Sequence, residues 1–520
     1  MNNNDNNNVY EDIPAEKFVF AKRPDDVIYD KKLNTKPVGY FRDAWRRFKK
    51  NRSSVVAAVI IIILFLFALI VPFVSHYDVK FRDGYYKLVP PKYEPLAFLG
   101  LDGCRIHTEG QAGYDYYKSI GAELGESSMK ELRNVTSDEL TGNPVYTFKV
   151  DEYEKVGFVY VDLSEKEYTK LQKYQNRSGI QVIYPIPENY MTTFLAVSGA
   201  NLWYELADNT PSTTGMAKEH DENGEPVFTP AYKTSKKEVY AKYESLKLSS
   251  DTGGENGDEW YVYAIKNQSG YRVRVLYKEY YMYMNGFYVE HIFGTNQDGQ
   301  DLFACMAVGA RVSFLISLSV VIFILPFGLF YGSIEGYYGG AVDLLLERIS
   351  DIVASVPLIV VAALFNMHLL KIIGPIFTLW LTFVIADWVG IASNVRTQFY
   401  RFKGQEYILA ARTLGASDRR LIFRHILPNS LGTIITGTIL IIPGIISSEI
   451  ILSYLGIVSF QTSDVVSMGT LLSQGESYLS TYPHMLLFPA IFIALLEIAF
   501  NLFGNGLRDA FNPSLRGSEE

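Results

Sequence analysis

Three carboxylates inside apolar runs, Asp387, Glu449 and Glu497, are the first residues here with evident chemical potential. An ionisable group at membrane depth is costly to bury and marks a substrate or ion path by default. The competing reading, which we favour, is a group that faces a helix bundle and pairs with a helix end or a neighbouring chain. Elsewhere the chemistry is sparse. His76, His107 and His220 stand alone, and the other carboxylates are scattered as on a solvated surface. No catalytic residue and no metal site is expected. Cys104 and Cys305 belong to no C-x-x-C pair. Both fall on what reads as the outer side, where a disulfide could form, although lone thiols are usually small buried apolar groups. The chain has no G-x-x-x-x-G-K-[ST] phosphate loop, so any ATP chemistry belongs to another polypeptide.

A second cluster is basic and lies in the loop at 394–430. Gln405 to Leu414 is made of good helix formers. Gly415 is free to turn left-handed and end that helix. Ser417 can cap a second helix, and Pro428 closes it before the next apolar run. Ala410, Ala411 and Ala416 are small enough to let another protein's surface approach closely. The opposing reading is an amphipathic helix resting on lipid headgroups. Physical argument alone leaves both open.

These residues need elements to hold them. The 520 residues are 48% hydrophobic, but unevenly so, with a polar, Tyr-rich stretch at 76–290 and apolar runs elsewhere. A run of about 18 or more apolar residues spans the hydrocarbon layer as a helix. Six such runs are expected, at 54–74, 309–332, 344–365, 372–391, 431–454 and 485–503. The third holds Pro357 and the fifth Pro443. The fold class is therefore an α-helical polytopic membrane protein. The first run begins too late for a cleaved signal peptide and is too long for one.

Lys and Arg placement orients the spans. Arg42, Arg46, Arg47, Lys49, Lys50 and Arg52 precede the first; Arg396, Arg401, Lys403, Arg412, Arg419, Arg420 and Arg424 lie between the fourth and fifth; Arg508 follows the sixth. With six spans all three groups fall on one side, so both termini are expected to be cytoplasmic. The organisation is then a cytoplasmic tail at 1–53, a first span at 54–75 and an extracellular domain at 76–290. A helical domain at 291–513 and a short tail at 514–520 follow. The Asn-rich start of the chain reads as a disordered tail. Net charge of −8 argues against nucleic acid as a partner.

The outer segment reads as β-rich. Residues alternate with period two from Val145 to Val150, Gly157 to Val161 and Tyr271 to Tyr277. A turn cluster from Asp251 to Gly257 separates strands. Its tyrosines suit a ligand site, but equally suit half-exposed strand positions, the preferred reading.

The spacing of Ala410, Ala411, Gly415, Leu427 and Pro428 resembles the EAA loop of ABC importer permeases. Leu409 stands where that family usually has Glu, and Glu406 supplies a carboxylate one turn earlier. The run from Arg424 to Asn429 is similar to the oligopeptide and dipeptide branch. So are Trp45 to Asn51, the segment from Phe293 to Asp301 (with Asn296 and Gln300 as departures), Gly336 to Gly340, and Glu449 with Leu452 to Gly456. Gly504 to Asp509 and Asn512-Pro513 match the tail. The resemblance covers about half the chain and leaves out 76–290, which reads as an insertion between the first two spans.

That resemblance implies a bacterial cell-membrane subunit of an oligopeptide importer, not an enzyme. It would work with a homologous second permease, two ATP-binding subunits carrying ATP and magnesium, an extracellular substrate-binding protein, a peptide substrate and membrane lipid, with no cofactor of its own. Glu406, Ala410, Ala411, Arg412, Gly415, Ala416, Leu427 and Pro428 would form the ATPase-coupling loop. Glu449 is shared with the family, which strengthens its bundle-facing reading. Alternatives are a permease for dipeptide, nickel or glycoside cargo, and a membrane-anchored extracellular receptor or adhesion protein.

Overall fold

The computed structural model describes residues 40–188, 196–207, 215–235, 260–458 and 466–511. The Asn-rich start, the turn cluster from Asp251 to Gly257, Asn512-Pro513 and the tail at 514–520 lie outside the described residues.

The chain enters through α1 (Tyr40–Lys50), a basic amphipathic helix that buries Ala44 and Phe48 against Leu507 and Ala510 near the end of the last helix. Asn51 caps α2 (Arg52–Val74) by accepting the Ser54 N–H. α2 is apolar all round and mostly exposed, as a helix bathed in lipid should be.

Among the described residues, the inserted region sets helices between its strands. β1 (Cys104–Gly110), α3 (Gln111–Ser119), β2 (Met129–Ser137) and β3 (Pro144–Asp151) make an antiparallel sheet with β3 central. Tyr114 of α3 stacks on Tyr146 and meets Phe148 edge-on. A second sheet is built from β4 (Phe158–Leu163), followed by α4 (Glu165–Ser178), then β5 (Ile183–Tyr184). After α5 (Ala196–Asn201) come two small pairs, β6 (Glu219–His220) with β7 (Pro226–Val227) and β8 (Thr234–Ser235) with β9 (Trp260–Tyr261). β10 (Ala264–Lys266) and β11 (Tyr271–Leu276) complete the second sheet, in which β11 pairs with β4, β5 and β10. The alternating runs singled out in the sequence lie in β3, β4 and β11. The helices are what alternation does not show: α4 is set by a capping box between Ser164 and Glu167. α6 (Tyr277–Asn285) leads back toward the membrane.

The insertion is stitched to the bundle at its base. The Val89 N–H donates to Thr295 Oγ1 at 3.0 Å, and the Thr295 hydroxyl donates to the Tyr86 carbonyl at 2.7 Å. The Lys92 N–H donates to the His291 carbonyl at 2.8 Å. Arg105 donates to the Tyr482 phenol at 2.7 Å, with its guanidinium 4.4 Å from that ring. Both cysteines are free.

The helical domain runs α7 (Leu302–Tyr338), α8 (Gly340–Ala354), α9 (Leu358–Ala386), α10 (Trp388–Lys403), α11 (Glu406–Thr413), α12 (Asp418–Arg420), α13 (Leu427–Ile439), α14 (Ile441–Tyr454), α15 (Met468–Ser477) and α16 (His484–Phe511). Five helical runs among the described residues are long and apolar enough to cross a bilayer: Arg52–Val74, Leu302–Tyr338, Leu358–Lys403, Asp418–Tyr454 and His484–Phe511. The expected spans at 344–365 and 372–391 take a different form. Pro357 lacks an N–H and drives Val356 out of helical geometry, so the first is cut between α8 and α9. The second merges into Leu358–Lys403, where Gly374 (φ 78°, ψ 168°) breaks the helix. Pro443 sits just inside α14, after a single turn residue, Leu440, that keeps right-handed helical angles.

Candidate functional site

α10 approaches α7 along a glycine stripe. Gly328, Gly332 and Gly336 repeat every four residues, so they share one face of α7. A Cβ on Gly332 would lie 2.2 Å from the Ala392 carbonyl oxygen, and one on Gly336 would lie 2.6 Å from Phe399 Cβ. Only glycine permits backbones this close, the small-residue packing that membrane helices use.

That contact carries the basic end of α10 onto the α7–α8 turn. Arg396 donates two bonds to Asp343, at 2.6 and 3.0 Å, and also reaches Glu347 at 3.0 Å. The Tyr400 phenol donates to Asp343, and Lys403 Nζ donates to the Gly336 carbonyl at 2.9 Å. Arg396 and Lys403, read in the sequence as loop charges, are thus braces. A bidentate pair held in place by a third donor is far stiffer than an isolated surface ion pair.

α11 leaves this platform with one face fixed. Ile408 is fully buried among Val395, Phe399, Leu421 and Ile426, and Ala411, Ala416 and Leu427 pack half-buried on the same cluster. Arg412 folds back to donate to the Tyr337 phenol at 3.0 Å, and that phenol donates to Asp418. Gly415 takes φ +84° and stops the helix with open space around it, so its backbone angle, not crowding, demands glycine. The opposite face is open: Glu406, Tyr407, Leu409, Ala410 and Leu414 are exposed, Leu414 by 88%. The adjacent alanines therefore differ, Ala410 facing outward and Ala411 inward.

Two expectations for this loop are corrected. Ser417 occupies the cap position of α12 but its side chain makes no capping bond. Pro428 does not close a helix. It stands in the first turn of α13, and the helical run continues from Asp418 to Tyr454. A π-helical turn at Leu421–Ile426 precedes it. Widening the turn before a proline relieves the clash of its ring with the carbonyl four residues back.

The three apolar-run acids are placed differently. Glu449 is buried and accepts from the Ser313 hydroxyl of α7 at 2.6 Å and the Ser453 hydroxyl at 3.0 Å. Glu497 accepts from the Ser447 hydroxyl at 2.6 Å. Asp387 sits at the α9–α10 junction without a hydrogen bond or ion pair to its carboxylate among the described residues. Sequence reasoning missed the glycine stripe, Tyr337 and the Asp343–Arg396 brace. The four-residue glycine repeat is legible in the sequence; the other two need tertiary contact.

Residues 324–517 match the family described as binding-protein-dependent transport system inner membrane component, and residues 39–91 match the N-terminal TM domain of oligopeptide transport permease C. The oligopeptide transport system permease protein OppC of Bacillus subtilis is 41% identical over 44% of this chain and 73% of its own length. The dipeptide transport system permease protein DppC of Lactococcus lactis is 37% identical over 44% of this chain and 65% of its own length. OppC of Haemophilus influenzae is 36% identical over 44% of this chain and 71% of its own. A structure of the MetNI methionine ABC transporter aligns with 39% of this chain and 96% of its own, at 16% identity and a TM-score of 0.31. The chain belongs to the family of binding-protein-dependent ABC transport permeases, together with the oligopeptide and dipeptide permease C proteins.

Proposed function

We propose that this permease is half of the translocation pathway of an ATP-driven peptide importer, and that the loop at 394–430 receives force from a partner ATPase. The carrying observation is the division of α11: Ile408, Ala411 and Arg412 lock one face to the bundle, while Tyr407, Leu409, Ala410 and Leu414 present the other outward. A push on the outward face moves the α7–α10 platform as a body, because the brace at Asp343, Arg396 and Tyr400 leaves little compliance. The energy comes from ATP and magnesium on two ATP-binding subunits; this chain binds no cofactor. A homologous permease would supply the other half of the pathway and an extracellular binding protein would deliver the peptide.

On this reading Leu358–Lys403 crosses the membrane in two passes. Its 46 residues would span about 70 Å as one helix, more than twice the hydrocarbon thickness. The break at Gly374 divides α8 to α10 into two crossings, the first of them kinked at Pro357, for six in all. Both termini and the 394–430 loop then lie inside and 76–290 lies outside. Glu449 and Glu497 tie helices together, and Asp387, without a partner among the described residues, is the acid free to face the pathway or the second permease.

The test is Leu414→Asp in the reconstituted importer. Its side chain is exposed, so folding and membrane insertion are unchanged. Peptide uptake should fall at least tenfold, with the ATPase subunits binding less tightly to the permease pair. Wild-type uptake and assembly would remove the lever.

A further inference from the structure

At the base of the insertion a short 3-10 helix, Glu94–Leu99, carries Leu96, Phe98 and Leu99 outward, with Phe98 80% exposed and Leu99 66% exposed. Its height is fixed on both sides. Just before it, Lys92 bonds the His291 carbonyl next to the start of α7. Just after it, Arg105 bonds Tyr482 next to the start of α16. The turn is therefore held at the level where the membrane helices begin and end. Tyr93, its preceding residue, lines a cavity of about 350 Å³ together with Val71 and Val74 of α2, Tyr77, Phe287 and Phe303. Beside that cavity α2 ends in Phe73 and Val74, exposed by 77% and 68%. Through Tyr93 the aromatic-lined hollow at the end of the membrane helix thus adjoins the apolar turn that follows in sequence.

We propose that Glu94–Leu99 is a membrane anchor: Leu96, Phe98 and Leu99 insert into the headgroup–acyl boundary of the leaflet at the outer end of α2. The occupant is phospholipid. Continuity with the lipid-bathed flank of α2 selects it, as does the make-up of the turn, where Pro95, Leu96, Ala97, Phe98 and Leu99 follow one another without a charge. Isolated exposed apolar residues are ordinary, but a contiguous set beside a membrane helix marks an interfacial contact. Insertion by about 5–10 Å suffices for side chains of this size. The tyrosines of the cavity, Tyr77 and Tyr93, are the residue type that settles where one end is apolar and the other wet. The anchor would keep the insertion from rocking on its base.

The experiment uses the whole importer in liposomes, with Phe98→Cys carrying an NBD fluorophore in a Cys104→Ser background. Cys305 is fully buried and stays unlabelled. Phosphatidylcholine bearing a nitroxide near the headgroup should quench the label, more strongly than one with the nitroxide deep in the chain. Aqueous iodide should quench it little. A label at Val59→Cys, on the exposed flank of α2, is the lipid-facing control. Quenching by iodide alone places the turn in water. Protection from both quenchers places it under another protein, and deeper quenching than shallow quenching rules out an interfacial position. Each of these overturns the anchor. Leu99→Cys should repeat the Phe98 result, which guards against a local effect of the dye.

Discussion

Arg412 and Tyr337, seventy-five positions apart, meet at 3.0 Å, and the tyrosine phenol passes the contact on to Asp418. One hydroxyl thus ties both halves of the helix–turn–helix to the end of α7. Tyr337→Phe removes both bonds and little volume. Hydrogen bonds to charged groups contribute about 1.5–3 kcal/mol each. We expect ATP hydrolysis to persist while peptide taken up per ATP drops severalfold, measured in the same proteoliposomes. An unchanged ratio would show that Ile408 alone suffices to hold the loop.

The glycine stripe gives a stability test. Gly332→Ala sets a methyl against the Ala392 carbonyl and must push α7 and α10 apart. Overpacking of this kind costs about 1–3 kcal/mol. Gly390→Ala, in α10 but with open space around it, should be neutral or slightly stabilising. Thermal unfolding of the purified complex distinguishes them: a drop of several degrees for the first and none for the second.

Glu449 makes a paired test. Glu449→Leu leaves the buried Ser313 hydroxyl without its acceptor, a loss of about 1–3 kcal/mol. Glu449→Gln keeps an acceptor oxygen at the same reach and should recover most of that loss. Equal melting temperatures for the two variants would mean that the α7–α14 tie contributes nothing.

The inserted domain should weaken in acid through Glu152. Burial pushes this carboxyl up, but the His107 hydrogen bond and the Lys155 charge outweigh it and hold it below its ordinary 4.5. A carboxyl lowered by folding contributes its full stability above the unfolded value and loses it as pH falls through the folded one. Hydrogen exchange in β1 and β3 should therefore speed up as pH drops below about 4.5, after correction for intrinsic rates. Glu152→Gln should flatten that dependence.

What could be read in advance was local. Gly415 announced a left-handed stop because no other residue takes φ +84° so readily. Strands β3, β4 and β11 showed in their alternation, since a half-buried sheet needs period two. Pro428 misled because its ordinary meaning is a stop, and only the π turn before it lets the helix pass. The span at 344–365 misled similarly: hydropathy is blind to the break that Pro357 imposes on backbone bonding. In the loop, side chains close in sequence could be placed on a helix, but not given a face. That Ala411 turns inward and Leu414 outward depends on Tyr337, Val395 and Phe399, which lie in other helices.

The wide turn at Leu421–Ile426 has one more effect. An α-helix advances about 100° per residue, so a single surplus residue resets the angular phase of everything before it. With that offset in place, Asp418 accepts from the Tyr337 phenol. Excising one residue from the turn would let the helix wind regularly into α13 and swing Asp418 round the axis by roughly a quarter-turn or more. The bulge is a phase-setting device: it decides which side of the helix after Gly415 greets the bundle and which is left facing outward.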